Sequence, residues 1–364
     1  MENITTPKTE PRVGLWHKPP TVERNNFIYK ALSSFAYNVA VGCEHACRFC
    51  YVPDVSTRRL GRSLEPRGVK DPASEWGEYV FVRPWNEKEF LASLARCEAM
   101  TDLNIDGNRA IFCCSTTDAF QVIKHPDAKR QKELAAMLEK NMVRGLELIR
   151  DKSTLNVRIL TRSPLARKYF DLFKSFGPRL MFGMSIPSLN PKWSRIYEPK
   201  APNPQRRFET LQAAVAADLN VYVAMAPTYP ECDETDLRNT LEQLSSLAPY
   251  TIFHEPINIR GENVDLIKKH AASLGVTLKA DVFNTRETWQ DYAWKQLHDV
   301  ERIAGEIGTE TGLPLPLHLW PDKTFGSQAF LHRMTSPASC DQWLQKWWKR
   351  VSEWPVGAKT ISQQ

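Results

Sequence analysis

The sequence predicts an α/β protein whose strands form a parallel sheet that is closed, or partly closed, into a barrel. Two observations predict this fold. Short apolar runs rich in β-branched residues alternate with longer amphipathic patterns over most of the chain. The chain also has 364 residues, 42% of them hydrophobic, which is enough for one barrel-sized core with appendages or for two small domains.

Residues 1–26 contain several prolines and little periodicity, which predicts a flexible or surface-draped N-terminal arm. Strand-like runs then occupy residues 35–41, 110–116, 157–161, 180–186, 221–226, 251–253 and 277–282. Helical patterns lie at residues 87–100, 130–150, 165–176, 204–217, 234–246, 264–274 and 288–307. We interpret these elements as a barrel over residues 27–285, followed by a helical C-terminal extension over residues 286–364.

Residues 42–51 hold three cysteines, Cys43, Cys47 and Cys50, at the spacing C-x3-C-x2-C, and no fourth cysteine is nearby. Three thiolates can hold three irons of a four-iron four-sulfur cluster and leave the fourth iron free for a small molecule. A structural zinc ion needs four ligands and would require His45 or a distant residue as well. The spacing therefore favours a catalytic cluster, with zinc as the alternative.

Polar residues follow the predicted barrel strands, at the ends where the working residues of barrel enzymes lie. Asp118 follows the second run and Arg162 the third, while Ser185 ends the fourth. The sixth run leads into the polar residues 254–258. Ser and Asp are also common helix caps, and Asp118 and Ser163 fit that role.

Several short segments occur in a specific order between about residues 35 and 260. They are Asn38 with the cysteine motif, residues 80–91, Thr117 and Asp118 with Gln121, residues 160–165 with Asp171 and Leu172, Ser185, residues 198–202, Arg207, and residues 224–230. In this order they resemble the radical S-adenosylmethionine (SAM) superfamily, in the DNA-repair-photolyase-related branch that includes spore photoproduct lyase. The resemblance implies a partial (β/α)6 TIM-like barrel of the radical SAM type, with a 4Fe-4S cluster and SAM as cofactors. It also implies reductive cleavage of SAM, after which the 5′-deoxyadenosyl radical abstracts a hydrogen atom.

The same resemblance assigns residues to the cofactors. The expected cluster ligands are Cys43, Cys47 and Cys50. The residues expected to contact SAM are Phe49, near its adenine, and Thr117, Asp118, Arg162 and Ser185 at its amino, carboxylate and ribose groups. Asp118 can accept from an ammonium, and Arg162 can pair with a carboxylate through its two-pronged guanidinium. Arg162 departs from the family pattern, in which lysine is frequent at this position.

Spore photoproduct lyase returns a hydrogen atom to its substrate from a cysteine near the end of the second strand. Cys113 and Cys114 occupy that region here, and at most one of two adjacent strand residues can face the barrel interior. Free cysteine is also a common small core residue. Tyr51, Tyr37 and Tyr229 are alternative radical relays.

The basic residues of the chain indicate what kind of substrate it can bind. The net charge is +6, which permits an anionic partner. A cluster follows the cysteine motif at Arg58, Arg59, Arg62, Arg67 and Lys70. These side chains either contact the phosphates of a nucleic acid substrate or lie on a solvated loop. A predicted helix at residues 340–353 carries tryptophans whose periodicity favours docking onto the protein body over base stacking.

We expect a cytoplasmic protein with no membrane association. The sequence contains no leader-like or membrane-spanning apolar stretch, and its eight cysteines do not form a secreted disulfide framework. A radical SAM enzyme also requires a reductant such as flavodoxin or ferredoxin.

Three functions remain open from the sequence. The first is a radical SAM enzyme, lyase-like or with other radical chemistry, that acts on a nucleic acid or nucleotide. The second is a radical SAM enzyme that modifies a peptide or protein. The third is a noncatalytic, zinc-stabilised nucleic-acid-binding protein.

Overall fold

The computed structural model describes residues 12–25, 33–103 and 109–350. The strands are β1 (Val13–Leu15), β2 (Val22–Arg24), β3 (Phe35–Tyr37), β4 (Ala40–Gly42), β5 (Val80–Val82), β6 (Ala110–Cys113), β7 (Asn156–Thr161), β8 (Leu180–Ser185), β9 (Val221–Thr228), β10 (Ile252–Pro256) and β11 (Leu317–Leu319). The helices are α1 (Val52–Val55), α2 (Gly61–Leu64), α3 (Glu87–Glu98), α4 (Ala128–Lys152), α5 (Phe170–Lys174), α6 (Pro191–Tyr197), α7 (Pro204–Ala216), α8 (Glu234–Ser245), α9 (Asn263–Ser273), α10 (Arg286–Thr311), α11 (Gln328–Leu331) and α12 (Pro337–Arg350). Short 3-10 segments lie at Thr57–Leu60, Glu65–Arg67, Pro164–Tyr169, Gly177–Arg179, Ala280–Phe283 and Lys323–Gly326.

The main sheet has eight strands in the order β2-β3-β6-β7-β8-β9-β10-β11. The seven strands from β3 to β11 pair in parallel, and β2 pairs antiparallel with β3. Within the described residues, β2 and β11 are the two edges, so the barrel is open. The predicted parallel α/β sheet, partly closed into a barrel, is confirmed. Its parallel strands place their carboxyl ends on one rim.

Both faces of the sheet are covered, which explains why the strands read as continuous apolar runs. The outer face packs Ile111, Ile159 and Phe182 into the large core formed with the helices. On the other face, Tyr222 and Phe253 belong to a separate interior cluster. The sheet therefore rests between a helical layer and a packed barrel interior.

Helices begin where side chains accept from free backbone N–H groups. Asp127, Asn203 and Asp233 accept at the first turns of α4, α7 and α8, and Thr285 forms a capping box at α10. Ser163 caps the 3-10 segment Pro164–Tyr169, as the sequence predicts. These caps fix where each crossover leaves the rim and turns back along the sheet.

The flexible-arm prediction for residues 1–26 is corrected for residues 12–25. Val13 and Val22 are buried because β1 pairs with β5 and β2 pairs with β3. Prolines at the connection between β1 and β2 fit this arrangement, since they disrupt no ladder. Residues 1–11 and 26 lie outside the described residues.

The C-terminal extension over residues 286–364 also differs from its predicted role. Its strand β11 pairs in parallel with β10, Ile252 opposite Leu317, and so adds a seventh parallel strand to the sheet. The predicted strand at residues 277–282 is wrong, because residues 280–283 form a 3-10 turn without a strand partner among the described strands. The division at residue 285 therefore does not separate the sheet from the extension.

Helix α12 docks through its tryptophans, as the periodicity predicts. Trp347 is buried, and the indole N–H of Trp343 donates to Glu301 at 2.7 Å. The Trp348 indole donates to the Pro321 carbonyl oxygen at 3.0 Å. Residues 351–364, which include the end of the predicted helix, lie outside the described residues. No helix in the described part of the chain is long and apolar enough to cross a bilayer.

Candidate active site

A cavity of about 320 Å³ opens at the carboxyl rim of the sheet, beside the cysteine motif. The predicted site residues that line it are Cys43, Cys47, Phe49, Cys50, Tyr51, Cys114, Thr117, Asp118, Arg162 and Ser185. Cys113 is not among the lining residues. Residues far apart in the sequence thus share one cavity because their strand ends share one rim.

The cysteine loop, residues 43–50, begins directly after β4 and is shaped by two glycines. Gly42 has a φ of 92°, and a Cβ there would collide with the backbone carbonyl of Tyr79. Gly77, also with a φ of 92°, packs so closely on Ala46 that a Cβ would collide with the loop. Only glycine adopts these positions without strain, so both residues fix the path of the loop.

Barrel strand ends hold the cysteine loop from one side. The Thr117 hydroxyl donates to the Gly42 carbonyl oxygen at 2.6 Å, and the Glu44 N–H donates to the side-chain oxygen of Gln121 at 2.7 Å. Two backbone hydrogen bonds tie the loop to the end of α6 and the segment that follows it. The loop is therefore positioned by the barrel itself.

The three cysteines of the loop are all free thiols, and all three line the cavity. Among the described residues, no three His, Cys, Asp or Glu side chains converge on a point where one metal ion would be held. A cubane cluster differs from zinc in that each thiolate binds its own iron, so the sulfurs need not converge.

Burial controls the protonation of these thiols in the metal-free protein. It raises the pKa of Cys47 to about 12 and that of Cys50 to about 11, and it raises the pKa of Cys43 as well. The ligating form is the thiolate, so metal binding at this loop releases protons.

Asp118 joins the cysteine loop to two strand ends. Its carboxylate lies 3.0 Å from His45 Nε2 and accepts from the Thr161 hydroxyl at 2.7 Å. It also accepts from the backbone N–H groups of Arg162 and Phe120, both at 2.9 Å. Burial favours the neutral form of Asp118 and would raise its pKa. His45 and the N–H donors outweigh this effect and lower the pKa to about 2. Asp118 is therefore an ionised hub whose two oxygens already have protein partners.

Arg162 belongs to a buried ion-pair network. Its Nε donates to one oxygen of Glu198 at 2.6 Å, and Arg207 contacts the other oxygen at 2.7 Å. Arg207 also donates to the carbonyl oxygens of Pro202 and Ser185, at 2.7 and 3.0 Å. The side chains of Glu198 and Arg207 are fully buried, whereas that of Arg162 is 20% exposed, at the cavity. Sequence reasoning included Glu198 and Arg207 in the resemblance but assigned them no role.

Two further predicted SAM contacts flank this network. The Arg162 guanidinium lies over the Phe49 ring, 5.5 Å from its centroid. The Ser185 hydroxyl donates to the Ala226 carbonyl oxygen at 3.2 Å. An aromatic face, a guanidinium and a hydroxyl therefore lie together on the cavity wall next to the cysteine loop.

The two cysteines predicted as hydrogen donors differ in their access to the cavity. Both belong to the large core cluster, but Cys114 lines the cavity and Cys113 does not. Burial raises the pKa of both thiols, so both remain protonated at neutral pH. Tyr51 also lines the cavity, where its hydroxyl donates to the Ser115 carbonyl oxygen at 3.0 Å.

The other two tyrosines predicted as relays lie away from the cavity wall. The Tyr37 hydroxyl donates to the Asn141 carbonyl oxygen of α4 at 2.6 Å, on the helical side of the sheet. Tyr229 stacks on Tyr197 with ring centroids 4.1 Å apart. Both side chains are fully buried, which removes them from direct contact with a substrate in the cavity.

One part of the cavity wall was largely missed by sequence reasoning. Its main residues are Phe112, Leu160, Glu255, Asn258, Arg260 and Trp320. Trp320 comes from the C-terminal extension and stacks on Phe253 at 4.5 Å. Asp322 accepts from Asn258 at 2.7 Å and from Arg260 at 3.1 Å, which ties this extension to the rim. The polar residues 254–258 were the available sequence signal for this wall.

The predicted basic cluster lies on the segment that borders the cavity. Val52 and Val55 of α1 line the cavity, and Arg58, Arg59 and Arg62 follow with exposed side chains. Arg58 pairs with carboxylates on α1 and at the start of α9. Arg59 and Arg62 therefore add exposed positive charge to the segment that follows the lining residues Val52 and Val55, although none of the three arginines itself lines the cavity.

Two uncharacterized proteins are similar to this chain in sequence. No protein-family model matches the chain. An uncharacterized protein of Acidianus two-tailed virus is 28% identical over 268 residues, covering 69% of this chain and 79% of that protein. An uncharacterized protein of Methanocaldococcus jannaschii is 24% identical over 222 residues, covering 61% of this chain and 69% of that protein.

Solved structures of spore photoproduct lyase are similar to the whole barrel. One, complexed with dinucleoside spore photoproduct, has a TM-score of 0.56 at 14% identity, and a variant with bound AdoMet and the same dinucleoside has 0.57 at 13%. Each match covers 84% of this chain and 80% of the other. The chain therefore has the radical SAM type of fold seen in spore photoproduct lyase, as the sequence predicts.

Proposed function

We propose that this protein is a radical SAM enzyme that cleaves SAM reductively and abstracts a hydrogen atom from its substrate. One observation carries the proposal: three free thiols of one loop share a cavity with the strand-end residues expected to bind SAM. Cys43, Cys47 and Cys50 would hold the cluster, which would supply the electron that splits the sulfonium. The remaining catalytic requirements fall on side chains of this cavity.

In this proposal Arg162 binds the SAM carboxylate. Glu198 occupies its Nε, which leaves the two terminal amino groups for a bidentate pair with a ligand. Phe49 contacts the adenine, while Ser185 and Thr117 offer hydroxyl oxygens to the ribose and amino groups. Asp118 acts mainly by position, because its oxygens already hold His45 and the neighbouring strand end.

Cys114 is the proposed hydrogen donor to the product radical. A donor must keep its S–H bond, and burial keeps this thiol protonated by raising its pKa. Cys113 is not the proposed donor because it does not line the cavity. Tyr51 is the alternative donor, since its hydroxyl lies on the same cavity wall.

We further propose that the substrate is a nucleic acid or nucleotide. Phe112 and Trp320 provide aromatic surface on which a base can stack. Arg59 and Arg62 provide exposed cations on the segment at the cavity mouth, where phosphates would lie. A peptide substrate is the rival, and it predicts activity that is indifferent to oligonucleotides.

The test of the enzyme class is anaerobic purification and cluster reconstitution, followed by addition of dithionite and SAM. We expect iron and sulfide near four per chain and chromatographic detection of 5′-deoxyadenosine. The Cys47→Ala variant is the negative control. Bound zinc with intact SAM would contradict the proposal and favour the nucleic-acid-binding alternative.

The test of the substrate class is oligonucleotide affinity as a function of salt. The triple variant Arg58→Ala, Arg59→Ala, Arg62→Ala should bind more weakly, with a salt slope lower by about 0.7 for each single-strand phosphate that the variant no longer neutralises. The matched control replaces Lys152, Lys174 and Lys295 with Ala, three exposed cations that lie on α4, α5 and α10 and not on the segment after α1. Equal affinities of both triple variants would remove the argument for nucleic acid.

A further inference from the structure

A second groove lies behind the cysteine loop and belongs to no part of the proposed active site. It has a volume of about 250 Å³ and is formed by residues 119–123, the first half of α4 and the 3-10 segment Pro164–Tyr169. Val122 and Leu165 line it with side chains that are 52% and 42% exposed. Both belong to the small set of large apolar residues that the described structure leaves exposed. Such exposure beside a groove is typical of an interaction site.

One side chain separates this groove from the cysteine loop. Gln121 lines the groove, and its side-chain oxygen accepts the N–H of Glu44, the residue that follows Cys43. Lys124, next to the groove, has its ammonium 3.9 Å from the Glu44 carboxylate. Electron transfer weakens steeply with distance. The groove is therefore a favourable point of entry for an electron that is to reach a cluster held by Cys43, Cys47 and Cys50.

The charges around the groove are mainly positive. Lys132 and Lys168 line it with exposed side chains, and Lys124 and Arg167 lie beside it, also exposed. Against these stand Glu139, whose carboxylate accepts the Tyr169 hydroxyl at 2.8 Å, and Glu44, whose carboxylate lies beside Lys124. A positive rim around an apolar centre is complementary to an acidic protein surface, and such charges accelerate encounter.

We propose that this groove is the docking surface for an acidic one-electron carrier protein of the flavodoxin type. This inference rests on the proposed function, which requires an electron from outside the chain. In the transfer, the anionic flavin hydroquinone loses one electron and becomes the neutral semiquinone, while the cluster gains that electron. No atom or group is transferred.

The test uses the double variant Lys132→Glu, Lys168→Glu. We expect its affinity for flavodoxin, measured by titration calorimetry at low salt, to fall roughly tenfold or more. Production of 5′-deoxyadenosine driven by reduced flavodoxin should fall in parallel, whereas production driven by dithionite should not change. The small reductant needs no docking surface, so the difference isolates the groove.

Lys152→Glu is the matched control for Lys132→Glu. Both residues are exposed lysines of α4, and 20 residues of helix put them about 30 Å apart. The Lys152 variant should bind flavodoxin like the wild type. A second variant, Leu165→Ser, tests the apolar centre and should weaken binding without any change of charge.

Three outcomes would overturn the docking proposal. The first is unchanged flavodoxin affinity in the double variant, and the second is an equal loss in the Lys152 control. The third is a change in the molecular mass of the double variant, measured by light scattering, while its affinity for flavodoxin stays intact. That result would assign the groove to a second copy of this chain. If the wild type makes no 5′-deoxyadenosine with dithionite, the proposed function fails, yet the affinity measurements still decide whether the groove binds flavodoxin.

Discussion

The two sides of the cavity are built differently. On the cysteine side, hydrogen bonds and ion pairs connect neighbouring strand ends, so that Asp118 and Glu198 each hold several partners. On the part of the wall formed by Phe112, Leu160 and Trp320, the lining is apolar, and Asn258 and Arg260 beside it donate to Asp322. The first construction fixes the geometry of reacting groups, whereas the second leaves a surface that a substrate can cover.

This difference indicates which function each part of the cavity wall serves. A side chain whose polar atoms are already satisfied by protein serves to position the cysteine loop and the SAM contacts. A wall with aromatic faces and peripheral charges serves to select what enters. Variants on the two sides should therefore separate SAM cleavage from substrate recognition.

The largest effect is expected from Cys47→Ala on the cysteine side. Removing one of three ligands should abolish cluster assembly, and with it SAM cleavage, while circular dichroism shows the fold retained. Cys340→Ala is the control, because Cys340 is equally buried but does not line the cavity. It should keep full iron content. Normal SAM cleavage by Cys47→Ala would refute the ligand assignment.

The next effect concerns the buried ion pairs. Glu198→Ala leaves the fully buried Arg207 without its carboxylate and should lower the free energy of unfolding by about 3–5 kcal/mol. Glu310→Ala, which removes an exposed partner of Arg238, should cost about 1 kcal/mol or less. Urea unfolding of both variants measures the contrast. Equal costs would mean that the cysteine side is not held by this network.

The same network predicts a pH dependence. Burial alone would raise the pKa of Glu198, but Arg207 and Arg162 outweigh it and lower the pKa to about 2. The stabilisation is therefore complete above the unfolded pKa of about 4.3 and is lost as pH falls toward about 2. The stability difference between the wild type and Glu198→Gln should shrink over that range in urea unfolding of the metal-free protein. A difference that is constant with pH would contradict the assignment.

Smaller and more selective effects are expected from a single substitution on each of the two parts of the cavity wall. Trp320→Ala should weaken oligonucleotide binding by about 1–3 kcal/mol, the usual value of one stacked base, and leave SAM affinity unchanged. Ser185→Ala should do the reverse, with SAM affinity reduced roughly tenfold at most, the value of one hydrogen bond. Calorimetric titration of each variant with each ligand checks this. Loss of both affinities in either variant would contradict the claim that SAM binding and substrate recognition depend on different residues.

The smallest change distinguishes adjacent cysteines. Cys114→Ala should leave the rate of SAM cleavage near that of the wild type but alter the products formed from the substrate radical. Cys113→Ala should affect only stability, since this side chain is buried and does not line the cavity. Product analysis by mass spectrometry decides between them. Identical products from both variants would exclude Cys114 as the hydrogen donor.

The predictable parts of the molecule were those encoded locally. The cysteine spacing lies within eight residues, and the alternation of strands and helices placed Asp118, Arg162 and Ser185 at strand ends on one rim. Periodicity also decided the docking of α12, because tryptophans one turn apart share a helix face. Each of these inferences needed only neighbours in sequence.

The parts that could not be predicted depend on contacts between distant segments. The bond between Arg162 and Glu198 spans 36 residues, and neither residue alone indicates its partner. Trp320 reaches the cavity because β11, which directly precedes it, pairs with the distant strand β10. Strands β1 and β2 have three residues each, too few for a periodic signal, and form because β5 and β3 offer free edges.

The most direct test of the central claim is the electron paramagnetic resonance spectrum of the reconstituted, dithionite-reduced protein, recorded with and without SAM. Three cysteine ligands beside a SAM pocket predict the signal of a reduced four-iron cluster, and that signal should change when SAM binds the open iron. A spectrum that SAM does not alter, or zinc in place of iron, would contradict the account.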